Sequence, residues 1–470
     1  MKELITTDNN CGFIVDDPEK IEDLLHISNC SLDSLRDLSG HDLWLFPPKG
    51  DRYDDKIDND PIFTISGNTL TTSNIMGFVG YGQTELTIQS RFTKPGKKDW
   101  FMQYMLQKVF SINVFDLKHA AGSDNSLDIA ALIFPYFLQK ALHQGLYREY
   151  TKRQYNDSRV KGVVNVNRHI QENFPFKNGK IAYSAREYTY DNSITQLIRH
   201  TIEHIKSKNE SASELLFSSS TNQSNVKQIL EATPTYRKSD LRKVLLSNLK
   251  PKIHPYYSEY RPLQRLCMQI LRDEKLSYDN SGDRIHGILF DGAWLWEEYL
   301  SITFKKAGYE HPENKKGKRG NPIYPFINRT KYTRFPDFMK DEIIADAKYK
   351  NLYRNSRDVI YDDLSRDDLN QMITYLHITK AHTGIFVGPM NFRVFDGYSG
   401  EELPETDYCT RVGYLAGAGG EIFIIAVNIP QECSSYSEFC DQMTKNENIL
   451  LKDILKADAG ELTVHRTFDE

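Results

Sequence analysis

The chain is 470 residues long, 39% apolar and 26% charged, which excludes a disordered polymer and allows two or three domains at roughly 100–200 residues each. Its formal net charge of −5 excludes a uniformly basic nucleic-acid binder, so any polyanion must meet a local basic surface. The six cysteines (Cys11, Cys30, Cys267, Cys409, Cys433, Cys440) form no Cys-x-x-Cys pair, which argues against a zinc site or disulfide framework and for reduced thiols.

Residues 1–60 are polar and acidic, and their spacing predicts one helix over 22–38. The run 61–92 alternates as strands do, with turn signals at Ser66-Gly67-Asn68 and Gly80-Tyr81-Gly82, so residues 1–125 are read as a β-rich N-terminal domain. From Trp100 to about Leu276 the pattern turns helical, with apolar residues three and four apart over 129–142, 192–206 and 261–271. The polar stretches 207–228 and 234–252 read as loops and short helices, and residues 126–280 as a helical middle region. Beyond residue 284 the pattern predicts a helix over 292–307, a hairpin over 331–350, a helix over 367–381 and a strand at 384–387. Strands at 411–415 and 421–429 and a helix over 436–456 follow, which makes residues 281–470 an α/β unit and the whole chain an α+β multidomain protein. The N-terminus lacks the apolar core of a signal peptide and no apolar run is long enough to span a bilayer, so the expected location is cytoplasmic, with no membrane partner. No Gly-x-x-x-x-Gly-Lys-Ser/Thr loop occurs, so nucleotide triphosphates are not expected to bind in that manner.

The 331–350 hairpin carries the chemistry. Phe335-Pro336-Asp337 is followed by Ile343-Ile344-Ala345-Asp346-Ala347-Lys348, where alternation puts Asp346 and Lys348 on the face of Ile344. The turn between the strands would fold Asp337 back beside Asp346. Two carboxylates that close repel one another unless a cation sits between them, and oxygen-only ligands favour Mg²⁺ or Mn²⁺ over zinc. Asp337 and Asp346, with the Ala347 carbonyl, would then hold the metal, and Lys348 would polarise or position the attacking water. The alternative is a surface hairpin with solvated charges. Two helices flank the motif. Glu297 lies in Leu295-Trp296-Glu297-Glu298-Tyr299, where it either supports the metal or Lys348 or is an ordinary surface glutamate. Gln371 and Tyr375 lie four apart on one helical face and either touch water or phosphate or, for Tyr375, pack in the core. The loop Lys315-Lys316-Gly317-Lys318-Arg319-Gly320, with Arg329, Lys331 and Arg334, reads either as a phosphate-neutralising patch or as a solvated charge run.

These residues resemble the McrC family, the nuclease subunit of McrBC-type restriction systems, whose nuclease domain belongs to the PD-(D/E)xK superfamily. Asp337, Asp346 and Lys348 match its motif, Glu297 matches the glutamate of the preceding helix, and Gln371 and Tyr375 match its Gln-x-x-x-Tyr helix. The likeness covers roughly residues 65–395. It extends more loosely to Gly145-Leu146-Tyr147-Arg148, Val160-Lys161-Gly162 and Glu187 to Asn192. It departs at Lys161, where arginine is usual, and at Gln89-Ser90-Arg91-Phe92. The resemblance implies a PD-(D/E)xK fold for residues 281–470 and Mg²⁺-dependent cleavage of double-stranded DNA in anti-phage restriction. It also implies an McrB-like AAA+ GTPase ring as partner, engaged mainly by residues 1–275. Double-strand cleavage would need a second copy of the chain or two successive nicks. A non-catalytic assembly factor that stimulates a ring NTPase, with a vestigial nuclease domain, is the alternative.

Overall fold

The computed structural model describes residues 2–31, 34–35, 43–47, 61–82, 84–94, 96–110, 125–176, 178–208, 213, 216–217, 219–276, 285–311, 322–327, 333–356, 359–391, 409–417, 419–462 and 466–467. They fall into two units, Met1–Phe115 with Ser281–Glu470, and Asp116–Asn280. The N-terminal part of the first unit runs β1 (Lys2–Thr7), β2 (Phe13–Ile14), α1 (Pro18–Leu25), β3 (Leu43–Phe46), β4 (Phe63–Ser66), β5 (Thr69–Thr72), β6 (Ile75–Tyr81), β7 (Thr84–Gln89) and α2 (Trp100–Phe110). The second unit holds α3 (Asn125–His143), β8 (Glu149–Asp157), β9 (Val163–Val164), α4 (Val166–Asn173), β10 (Ile181–Thr189), α5 (Ser193–Lys208), α6 (Ser220–Ala232), α7 (Leu241–Ser247) and α8 (Tyr260–Leu276). The first unit then resumes with β11 (His286–Asp291), α9 (Gly292–Lys306), β12 (Phe338–Lys340), β13 (Ile343–Ala347), β14 (Tyr353–Ser356), β15 (Val359–Asp362), α10 (Arg366–Thr379) and β16 (Thr383–Met390). It closes with β17 (Cys409–Tyr414), β18 (Glu421–Asn428), α11 (Tyr436–Asp458) and β19 (Arg466–Thr467).

The N-terminal β-run folds as expected, into a five-stranded sheet β1-β7-β6-β11-β3 and a smaller sheet β2-β5-β4. The expected helix over 22–38 is displaced. It starts at Pro18, with the Asp17 carboxylate accepting from the Glu19 N–H, and ends at Leu25. Asp-Pro is a start signal, and the left-handed Asn29 turns the chain away four residues after the helix ends. Residues 32–33 and 36–38 lie outside the described residues. Strand β11 follows the middle region in sequence yet joins the N-terminal sheet, antiparallel to β6 and parallel to β3.

The middle region is not helical throughout. Strands β8, β10 and β9 form an antiparallel three-stranded sheet, with β8 and β10 paired along all nine residues from Glu149↔Thr189 to Asp157↔Ile181. No residue of β8 is fully buried, so an apolar period of two, the usual mark of a strand, is missing there. Around it, the long helices α3, α5 and α8 coincide with the predicted periodic segments. Asp191, at the end of the Glu187 to Asn192 stretch, is buried and structural: it accepts from Gln196 and Thr235 and pairs with Arg153 at 3.1 Å.

The C-terminal sheet has the order β12-β13-β16-β18-β17-β19, with β13, β16 and β18 parallel. Strands β16 and β18 are buried almost end to end, as central parallel strands are. Helix α10 lays Met372, Tyr375 and Leu376 on Ile344, Phe386 and Ile424 to make one core. Gly384 permits this approach, because a Cβ there would stand 2.8 Å from the Met372 side chain. Helices α9 and α11 pack against β13 and β18. No described helix is long and apolar enough to cross a membrane.

Candidate active site at the β13 strand end

The hairpin β12–β13 is paired from Phe338↔Ala345 to Lys340↔Ile343, leaving Asp341 and Glu342 as its loop. Asp341 takes a φ of 48°, the left-handed conformation that tight hairpin loops require and that Asp tolerates. One step beyond the last pair, this register sets Asp337 across from Asp346, and the Asp337 Oδ2 accepts from the Ala347 N–H at 2.7 Å. Phe338 is fully buried and stacks on Phe304 of α9, with ring centroids 4.2 Å apart and planes 3° from parallel. Phe304 and Glu297 are two helical turns apart and share a face, so this stack aligns Glu297 with the hairpin. His311 ties the two together: its Nδ1 lies 2.8 Å from the Asp337 carbonyl and 3.8 Å from the Glu297 carboxylate.

Lys348 lies one residue past the end of β13, and its N–H bonds to the Val387 carbonyl at 2.9 Å. Its Nζ stands 2.6 Å from Asp346 Oδ2 and 3.4 Å from Asp368, and donates to Gln371 Oε1 at 2.9 Å. Gln371 in turn donates from Nε2 to the Tyr375 hydroxyl at 2.8 Å, and that hydroxyl donates to the Phe335 carbonyl at 3.2 Å. Tyr375 packs in the core, its ring 1% exposed, and its hydroxyl links Gln371, which holds the Lys348 ammonium, to the Phe335 carbonyl.

The electrostatics are unbalanced. Burial first, then the Asp337, Glu298 and Asp346 carboxylates, push Glu297 well above the usual carboxylate range. Burial and then Asp346 do the same to Asp337, against the opposing pull of the Ala347 N–H and Lys348. Asp346 is raised by burial in spite of Lys348. Burial works against the Lys348 ammonium, but Asp346, Asp337 and Asp368 outweigh it and raise its pKa. Asp346, Asp337 and Asp368 thus face one lysine, and Asp346 Oδ2 is buried 2.6 Å from its ammonium. Among the described residues no three His, Cys, Asp or Glu side chains stand in a cation-holding group. The available donors are instead two carboxylates and a backbone carbonyl, all oxygen, a set that suits a hard divalent cation.

Asp337, Asp346, Lys348, Glu297, Gln371 and Tyr375 are therefore all brought together. Sequence reasoning missed His311, Asp368 and Lys350. The last two form an ion pair beside Lys348, and Asp368 also caps its own helix through Ser365. Lys350 stands two residues past Lys348, and Asp368 one turn before Gln371, spacings that mark both as neighbours. The basic segment 315–320, Arg329 and Lys331 lie outside the described residues, while Arg334 is exposed.

No curated protein matches the chain. Solved structures do, two of them as follows. A refined half-complex from a tetradecameric assembly of Thermococcus gammatolerans McrB AAA+ hexamers with bound McrC is 15% identical, covers 94% of this chain and 99% of that one, and has a TM-score of 0.45. The cryo-EM structure of the Thermococcus gammatolerans McrBC complex is 16% identical, covers 65% and 88%, and has a TM-score of 0.31. The family model described as McrBC 5-methylcytosine restriction system component matches residues 70–388, well over half of the chain and the whole of the site above. The chain therefore belongs to that restriction-system family, the McrC family that its motifs resemble.

Proposed function

We propose that the chain is the Mg²⁺-dependent DNA endonuclease subunit of an McrBC-like restriction complex, with residues 281–470 as a PD-(D/E)xK nuclease domain. The observation that carries this reading is the gathering of Asp337 and Asp346 beside Lys348, with Asp337 hydrogen-bonded across the hairpin to Ala347. Asp337, Asp346 and the Ala347 carbonyl would hold Mg²⁺, with Mn²⁺ as a substitute. When bound, the cation supplies charge neutralisation and Lewis acidity toward a phosphodiester and its attacking water.

The remaining roles belong to the chain itself. Lys348, its pKa raised, stays protonated at neutral pH and acts as a fixed positive donor, not as a base. Gln371 and Tyr375 hold that ammonium in one direction. Glu297 lies against Asp337 and supports the metal or the lysine. Double-stranded DNA is the substrate, and because one site cuts one strand, double-strand cleavage takes a second copy or two nicks. The chain lacks a Walker-type phosphate loop, so an McrB-like AAA+ GTPase ring would supply the nucleotide hydrolysis.

The test is plasmid cleavage in Mg²⁺ by the full chain with its ring partner, comparing wild type with Asp346→Ala and Lys348→Ala. Both variants should bind the partner and fail to cut. Cutting at the wild-type rate by either one ends this reading, and ring stimulation without cleavage by the wild type selects the assembly-factor role.

A further inference from the structure

Lys348 is followed by a residue held from far away in sequence. Tyr349 is 5% exposed, and its hydroxyl pairs with the Ser90 hydroxyl at 2.7 Å and donates to the Met76 sulfur at 3.1 Å. Its carbonyl accepts from Arg91 Nη2 at 2.6 Å, and the same guanidinium lies 4.8 Å from the Tyr349 ring centroid. Arg91 also donates to Asn74 and pairs through Nε with the buried Asp8 at 3.3 Å. Asp8 is 0% exposed and accepts from the Arg91 N–H at 2.6 Å. Asp8 follows β1, Ser90 and Arg91 follow β7, and Asn74 precedes β6, so all four sit at one end of the N-terminal sheet. On its other side, Gly292 at the start of α9 stands where a Cβ would meet the Tyr349 ring at 2.7 Å.

A buried Asp–Arg pair has a high desolvation cost and is weak evidence for stability as such. Here its guanidinium donates from Nη2 to main chain one residue from the lysine. The main chain at Lys348 is thereby held on two sides, by the Val387 carbonyl and by the Arg91–Tyr349 clamp. Gln371 aims the ammonium at the other end of the side chain.

Resting on the nuclease reading above, we infer that Arg91 is a positioning residue for Lys348, acting through Tyr349, and that the end of the N-terminal sheet is the fixed support of the site. The guanidinium reaches Asn74 and the Tyr349 carbonyl through Nη2 while Nε faces Asp8, a span that a lysine ammonium, a point charge, cannot cover. Displacement of a group that acts on the transition state by about 1 Å can cost about 100-fold in rate, without the substrate being held less tightly.

The test compares the full chain with its ring partner as wild type, Lys348→Ala, Arg91→Lys and Tyr349→Phe, in steady-state plasmid cleavage with Mg²⁺ and in thermal melting. Arg91→Lys keeps the charge beside Asp8 and loses the guanidinium. Its kcat should fall about 10- to 100-fold, with KM for DNA and the half-saturating Mg²⁺ within about twofold of wild type. Tyr349→Phe keeps the ring and loses only the hydroxyl, and a smaller fall in kcat is expected. If Arg91→Lys does not fold, Tyr349→Phe decides alone, since it preserves the packing. Wild-type kcat in the folded variants, with Lys348→Ala inactive, overturns the positioning role and leaves the nuclease reading standing. A rise in KM and a fall in melting temperature in step with the fall in kcat mark the cluster as merely structural and also overturn it. Cleavage by Lys348→Ala overturns both.

Discussion

Helix α9 presents two carboxylate clusters two residues apart, and they are built on opposite principles. From Tyr299 the helix reaches Glu447, a single buried carboxylate that accepts from the Tyr299 hydroxyl at 3.0 Å and the Tyr104 hydroxyl at 2.9 Å, and from Lys108 at 3.0 Å. Three donors serve one acceptor there, and the network joins α2, α9 and α11 into one packed layer. From Glu297 the helix faces Asp337 and Asp346, and each of these three acids is driven toward its protonated form. A fold gains nothing from assembling repulsion between partly desolvated carboxylates. A saturated buried carboxylate marks structure, and under the proposed function the unsaturated group supplies the metal-binding acids.

The sharpest way to break that contrast is to neutralise one acid in each cluster. Asp337→Asn should lower DNA cleavage by at least about 1,000-fold, since a metal ion's charge stabilisation is worth several kcal/mol. It should also raise the melting temperature of the metal-free protein, because it removes a repelled charge from a buried site. Glu447→Ala should do the reverse. It leaves two buried hydroxyls without their acceptor, and a loss of about 3 kcal/mol is expected from that alone, the half-exposed Lys108 adding little. Cleavage per folded molecule should stay as in the wild type. Thermal melting beside a cleavage assay reads both variants, and a Glu447 variant that melts like wild type removes the structural half of the comparison.

Metal addition sharpens it further. Mg²⁺ at about 100 times its dissociation constant should stabilise the wild-type protein by about 2.7 kcal/mol, and Glu447→Ala by the same increment. Asp337→Asn should show no such increment. Equal stabilisation of all three proteins would mean that the cation binds elsewhere.

The two clusters also differ in how far they are legible in the sequence. Asp337, Asp346 and Lys348 lie within twelve residues on one hairpin, and Gln371 and Tyr375 one turn apart on one helix, so local spacing brings them out. Strands β16 and β18 read as continuous apolar runs because both their faces are covered. Strand β8 shows no such signal, since polar residues occupy both of its faces. The pairing of β11 with β6, the Phe304–Phe338 stack and the hold of Arg91 on Tyr349 depend on partners far away in the chain. A sequence states that a residue wants a partner and leaves open which one closes the contact. The departure from the family pattern at Ser90-Arg91 is the one local hint of that clamp.

The smallest expected effect is on the pH dependence of stability, and it separates two paired carboxylates, Asp8 and Asp368. Burial raises Asp8 to about 6 although Arg91 opposes it. Asp368 is less buried, and Lys350, Ser365 and Lys348 prevail over burial and lower it to about 2. For Asp8 the folded state binds its proton more tightly than the unfolded state does, so its contribution to stability declines as pH rises from about 4 to about 6. For Asp368 the folded state binds the proton less tightly. Its contribution is complete above about 4 and is lost as pH falls toward 2. At roughly 1.4 kcal/mol per unit, the Asp368 contribution comes to about 2 kcal/mol. Melting temperature measured between pH 2 and pH 7 should therefore show Asp368→Asn flattening the acid limb below pH 4 and leaving the limb between 4 and 6 unchanged, while Asp8→Asn flattens the second limb alone. An Asp368 variant whose acid limb still falls as steeply as the wild type's would mean that the Lys348–Lys350–Asp368 group carries no net stabilisation. The lysine would then be held by Asp346 and Gln371 alone.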